Sequence, residues 1–219
     1  MKVLVACEES QVVCKAFREL GHEAYSCDIQ ECSGGNPQWH ILGDCLPILN
    51  GICEFITENG DKHSIDTKWD LIIAHPPCTH LAVSGARWFK EGVKPMYLQE
   101  EAIDFFMKFV NADCDKIAIE NPICIMSTKY RKPDQIINPF QFGHLEQKKT
   151  SLWLKGLPKL KETNNVYEEM MKLPIKQRAR IWWLGSNNSK ARSKTYEGIA
   201  KAMAEQWGNP TRQHEDKGE

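Results

Sequence analysis

The sequence predicts an α/β protein with a single mostly parallel sheet flanked by helices, and three stretches carry that prediction. Residues 71–74, Leu-Ile-Ile-Ala, form an unbroken apolar run of strand length, as a parallel strand covered on both faces requires. They lead directly into Pro76-Pro77-Cys78. Residues 117–119, Ile-Ala-Ile, repeat the arrangement and deliver Glu120 and Asn121 into an expected proline turn at Pro122. Residues 2–28 read strand, helix, strand, with Asp28 at the second strand's tip, the opening of a nucleotide-type α/β unit.

Length and charge set the bounds. A chain of 219 residues is long enough for one well-buried catalytic domain, expected over residues 1–210 with a disordered tail at 211–219. With 28 basic and 29 acidic residues the total charge gives no evidence for a nucleic-acid partner, but Lys and Arg crowd residues 147–161 and 176–201. The nine cysteines are odd in number and lie mostly in apolar runs, and the first residues lack the pattern of a signal peptide. A reduced, cytoplasmic setting is expected, with most thiols acting as small core residues. No apolar run has the length of a bilayer span.

In chain order, residues 2–6 are a strand and residues 10–20 alternate at helical spacing through Val12, Val13, Ala16, Phe17 and Leu20, with Gly21 as the stop. The turn between them reads Cys7-Glu8-Glu9-Ser10-Gln11, without the glycines of a phosphate-binding turn; its acids suit an amino or sulfonium ligand better than a pyrophosphate. Residues 24–27 are the second strand. Residues 31–50 read as a loop containing Gly43-Asp44, and residues 52–65, with Asn59-Gly60 at their centre, as a hairpin inserted at the surface. Residues 79–96 hold few core residues and read as a mobile lid. Residues 98–110 form an amphipathic helix with Leu98, Ala102, Phe105, Phe106 and Phe109 on one side. Beyond Pro122 the pattern loosens until residues 148–154, a strand-like run. Residues 159–176 read as a polar surface connection, and Thr195 as the cap of a last helix burying Ile199, Ala200, Met203 and Trp207.

Cys78, placed after a strand at the sheet's carboxyl edge, is the first candidate nucleophile. Pro76-Pro77-Cys78, Glu120-Asn121-Pro122 and Gln147-Lys148-Lys149, in that order, resemble the catalytic proline-cysteine, the glutamate-asparagine pair and the Gln-Arg-rich element of DNA (cytosine-5) methyltransferases, in the short form carried by phages and prophages. The resemblance implies a Rossmann-like fold and S-adenosylmethionine as cofactor. Its contacts would be at Ala6, Cys7, Glu8, Ser10, Asp28, Ile29, Asp44 and Pro76. It also implies DNA, double-stranded, as partner, with phosphate contacts from Arg87, Gln147, Lys148 and Lys149. Little chain, roughly residues 157–176 and at most 157–194, stands where larger relatives carry a target-recognition domain, so a protein partner supplying recognition is a further expectation.

The chemistry implied is attack of the Cys78 thiolate on C6 of cytosine, with Glu120 as a protonated carboxyl at N3 and Asn121 positioning it or touching the base. The cytosine would be flipped from its stack with the lid closing behind it. Other readings stay open. Cys78 can be an inert core thiol, Asp28 a turn cap, and Glu8 and Glu9 acids of a helix amino end. His75 and His80 flank Cys78 and raise a Cys-His hydrolase. Cys27, Cys32, His40 and Cys45 lack the paired spacing of a zinc site, so no metal is expected. Trp182-Trp183 reads as core packing more readily than as a base-stacking platform. At the level of function the rivals are exocyclic amino methylation of a base and a catalytically inactive methyltransferase-like binding or decoy module.

Overall fold

A computed structural model describes residues 1–184 and 188–208, apart from the side chains of residues 86, 87 and 189. In chain order the strands are β1 (Lys2–Ala6), β2 (Glu23–Asp28), β3 (His40–Leu42), β4 (Cys53–Ile56), β5 (Lys62–Ile65), β6 (Leu71–Ala74), β7 (Ile117–Pro122), β8 (Gln135–Ile137) and β9 (Thr150–Lys155). Seven of them form one sheet in the order β3-β2-β1-β6-β7-β9-β8, and β4 and β5 form a separate hairpin. Pairing is parallel from β3 through β7; β9 alone runs against its neighbours on both sides. From β1 the chain first builds outward through β2 and β3 and later resumes on the other side with β6. The carboxyl ends of β1 and β6 therefore flank the point where strand order reverses, the usual ligand crevice of such sheets.

The apolar runs of β1, β6 and β7 are explained by helices on both faces. Val3, Val5, Leu71, Ile73 and Ala118 face one side, with Val13 and Phe17 of α1 (Val12–Glu19) and Met203 and Trp207 of the carboxyl-terminal helix. Leu4, Ala6, Ile72, Ala74, Ile117 and Ile119 face the other, with Phe106 and Phe109 of α2 (Tyr97–Val110) and with Trp153 of β9. The carboxyl-terminal helix, α3 (Glu197–Trp207), buries Ile199, Ala200, Met203 and Trp207 as its spacing requires. Its amino end approaches residues 142–144 so closely that a Cβ on Gly198 would lie 2.0 Å from the Phe142 carbonyl oxygen. Trp207 is fully buried and donates its Nε1–H to the Pro158 carbonyl at 3.0 Å. Trp207→Ala is expected to cost about 3–5 kcal/mol through the cavity it leaves, read as a lower urea midpoint.

Several expectations need correction. Residues 31–50 are not all loop: His40–Leu42 adds an edge strand beside β2. The hairpin is no surface insertion, because Phe55 and Ile65 are buried, and the Phe55 ring packs against Tyr25 and Trp69 with centroids 4.9 and 6.4 Å away. Asn59-Gly60 does lie at the centre of the hairpin, in a loop closed by Thr57 N–H to Asp61 O. Residues 79–96 do hold few core residues, with Leu81 and Phe89 buried among the described side chains and Ala82 bridging Cys124. β7 continues through Pro122, so Asn121 and Pro122 sit in a ladder opposite Ser151 and Thr150, not in a proline turn. Gln135–Ile137 is a further strand, whereas residues 159–176 are mostly exposed as expected, with Leu160 and Met170 buried. The cap position of α3 is Tyr196, not Thr195. The expected disordered tail at 211–219 lies outside the described residues. No described helix is long and apolar enough to cross a membrane.

Candidate active site

The register of two strands builds the centre of the site. Ala74 of β6 pairs with Ile119 of β7, so the next rungs set His75 beside Glu120 and Pro76 beside Asn121, both 45 residues apart. His75 Nδ1 and Glu120 Oε2 are 2.8 Å apart with side chains only 12 and 11 % exposed. Asn121, buried, donates its amide to the Pro76 carbonyl at 2.7 Å and so holds the Pro-Pro-Cys loop against the end of β7. On the other flank Ala6 pairs with Ala74, and the His75 amide bonds the Ala6 carbonyl at 2.9 Å. Cys7 and Glu8, which follow β1, thereby reach the same crevice.

Glu120 differs from its expected state. Burial pushes its carboxyl up, but the His75 hydrogen bond and charge, Lys148 and the Thr195 hydroxyl outweigh burial and hold it below the ordinary carboxylate value. Burial lowers His75, and the Glu120 bond and charge with the Glu8 charge outweigh that, holding the imidazole above its ordinary value against Lys148. Both shifts favour the carboxylate–imidazolium form of the pair, the reverse of the protonated Glu120 that the sequence suggests. At Cys78 burial raises the thiol; Lys148 and Arg192 oppose the shift and Glu120 adds to it. The thiol keeps its proton at neutral pH in the protein alone. Lys148 is thus a shared cation for Cys78 and Glu120, and its Nζ donates to the Arg192 carbonyl at 2.8 Å. It turns inward, whereas Lys149 is exposed. The Gln147 backbone donates to the Arg178 carbonyl at 2.7 Å, and the Arg87 side chain lies outside the described residues.

The acidic turn after β1 has a structural use that sequence left open. Both Glu8 carboxylate oxygens accept from the amino end of α1, from Val13 N–H at 2.7 Å and Cys14 N–H at 3.1 Å. A buried carboxyl group already fills the place where other folds put a phosphate. Burial raises the Glu8 carboxyl, against His75 and those two amides. Glu9 takes the Ser33 hydroxyl, and Gln11 exchanges bonds with the Asn36 backbone, so this turn is laced to residues 33–36. Gly34 permits the approach: a Cβ there would lie 2.5 Å from Gln11 Cβ. Ser10 is buried in the same turn.

The remaining residues expected to meet a cofactor gather at neighbouring strand ends. Asp28 and Cys45 lie close enough to influence the Cys7 thiol, and Asp28 and Asp44 influence Cys27. Asp28 Oδ1 accepts from Gln30 N–H at 2.9 Å and Asp44 Oδ1 from Leu46 N–H at 3.0 Å, leaving each a second oxygen suited to a hydroxyl or amino group. Ile29 beside them is exposed. His75 Nε2 and Asn121 Oδ1 are buried and find no partner among the described residues, which gives the crevice unmet hydrogen-bonding capacity. A cationic ligand bearing hydroxyls fits this acid-lined, acceptor-rich crevice better than a diphosphate.

Sequence reasoning weighed His75 only as a hydrolase partner of Cys78 and Thr195 only as a helix cap, and it did not single out Arg192. A histidine at the end of an apolar strand, directly before Pro-Pro, was the available signal for the first; the other two become neighbours of the site through tertiary packing. His75 faces Glu120, and His80 packs edge-on against Phe89 with centroids 5.9 Å apart. His40 spends both ring nitrogens on Ser26 Oγ and Gln30 O. Compared with models of known protein families and with curated protein sequences, the chain matches none.

Proposed function

We propose that this protein is an S-adenosylmethionine-dependent DNA (cytosine-5) methyltransferase acting through a covalent bond between Cys78 Sγ and C6 of cytosine. The observation that supports it most is the β6–β7 register, which brings the Cys78 loop and Glu120 to adjacent strand ends with Lys148 influencing both. When bound, S-adenosylmethionine would supply an electrophilic methyl group, with Asp28 and Asp44 suited to its hydroxyls and amino group and the Cys7 to Ser10 turn beside it. This chain's own residues then have distinct tasks. Cys78 loses its thiol proton to water and adds to C6; the C5–C6 π electrons shift to C4–C5 while N3 takes the proton shared by His75 and Glu120. Once C5 carries the methyl group, water removes the C5 proton, N3 returns its proton to the His75–Glu120 pair, and the C5–C6 double bond re-forms as Cys78 Sγ leaves. Lys148 offsets the charge at sulfur as it forms, and Asn121 fixes the loop that aims it.

Incubation with methyl-labelled cofactor and duplex DNA containing 5-fluorocytosine tests the reading. The expected product is a denaturant-resistant protein–DNA adduct carrying label. Label on an exocyclic nitrogen without adduct points to the amino methyltransferase alternative and overturns the proposal. A second reading, a non-catalytic binding module, draws on one observation, the Glu8 carboxylate seated at the amino end of α1. Absence of any calorimetric signal with S-adenosylmethionine would favour it.

A further inference from the structure

Between Glu169 and Glu197 the chain contains seven Lys or Arg residues and no acid. This stretch is pinned to the site at several points. The Arg178 carbonyl takes the Gln147 amide, Arg180 Nε pairs with Glu146 at 3.0 Å, and the Arg192 carbonyl takes Lys148 Nζ. Tyr196 OH also donates to Glu146, at 2.7 Å. Residues that influence Cys78, Lys148 and Arg192, are thus joined to a basic strap that carries Trp182 and Trp183 on one short helix, Arg180–Trp183. Core packing was the expectation for this pair, yet they are 82 and 61 % exposed. Lys176 Nζ lies 5.4 Å from the Trp183 ring centroid.

Two large aromatic faces held in water, on a strap joined to the candidate site through Glu146, Gln147 and Lys148, are costly unless something covers them. The surrounding charge specifies a polyanion, and the flat indole faces specify one that has planar rings to stack. An acidic peptide answers the charge but not the rings; paired bases in a duplex hide their faces. We propose that the described part of this strap, residues 172–184 and 188–194, binds a single-stranded or locally unpaired polynucleotide, with Trp182 stacking on an unpaired base and Lys176, Lys190 and Lys194 taking phosphates. The proposal builds on the reading of Cys78 as a base-directed nucleophile, but its test requires no turnover.

The test titrates the full chain against a fluorescein-labelled thymidine 20-mer, its duplex with deoxyadenosine, and polyglutamate as competitor, following anisotropy and tryptophan emission. Preference for the single strand is expected, with quenching that Trp182→Ala abolishes. The Trp182→Ala/Trp183→Ala protein should lose about 10-fold or more in affinity, and Trp182→Phe should recover most of it. Lys176→Ala/Lys190→Ala should flatten the salt dependence. Both sites are at the surface, so an unchanged melting temperature separates these losses from misfolding. Equal affinity of the alanine proteins, tighter binding of duplex, or full competition by polyglutamate overturns the proposal. Tryptophan-dependent strand binding without methyl transfer leaves it standing while the methyltransferase reading falls; methyl transfer with unaltered binding by the alanine proteins does the reverse.

Discussion

Cys78→Ser is expected to reduce methyl transfer by on the order of 10³-fold or more and to remove the adduct with 5-fluorocytosine DNA, while cofactor affinity is kept. A serine hydroxyl ionises far less readily than a thiol and makes a poorer nucleophile toward C6. The side chains are nearly isosteric, and Cys78 is only part-buried, so the loop held by Asn121 should be undisturbed. The surroundings make a subsidiary result specific. Because burial holds the thiol up and Lys148 is the largest opposing influence, Lys148→Met should slow alkylation of Cys78 by iodoacetamide near neutral pH, and Lys148→Arg should restore most of it. Equal turnover by Cys78→Ser would end the covalent mechanism, whatever the cofactor result.

The parallel centre of the fold was legible because burial on both faces writes itself as unbroken apolar runs, at residues 71–74 and 117–119. The two edge strands were not, since His40–Leu42 and Gln135–Ile137 are three residues long and carry no usable period. Candidate residues were legible singly: Cys78, Glu120, Asn121, Asp28 and Asp44 all stand at strand ends or just beyond. Their partnerships were not. A parallel register between strands 45 residues apart has no local signal, so the contact of His75 with Glu120 could not be read, and with it the ionisation state of the acid. Trp182 and Trp183 show the opposite failure: composition points to a core, and tertiary placement leaves them in solvent.

His75→Gln is the second decisive variant, and it should move the alkaline limb of adduct formation toward lower pH and cut the rate near pH 8 by about 10²-fold. Three charged groups from three elements surround His75: Glu8 after β1, Glu120 of β7 and Lys148 ahead of β9. With the imidazole held above its ordinary value and Glu120 held below its own, the pair keeps one shared proton across the range between them. Its stabilisation is present in that window, lost as pH falls through the depressed carboxylate value and lost again as pH rises through the raised imidazole value. Donation to N3 follows the upper edge: once His75 is neutral, the pair has nothing to give. Glutamine can still donate a hydrogen bond to Glu120 but carries no ionisable proton, so Glu120 would titrate alone, raised by burial but without the imidazolium that extends the protonated range. Glu120→Gln should lose activity at every pH. If His75 only braces the strand ends, the glutamine protein would show a lower melting temperature and an unshifted pH profile, which would remove the imidazole from the proton path.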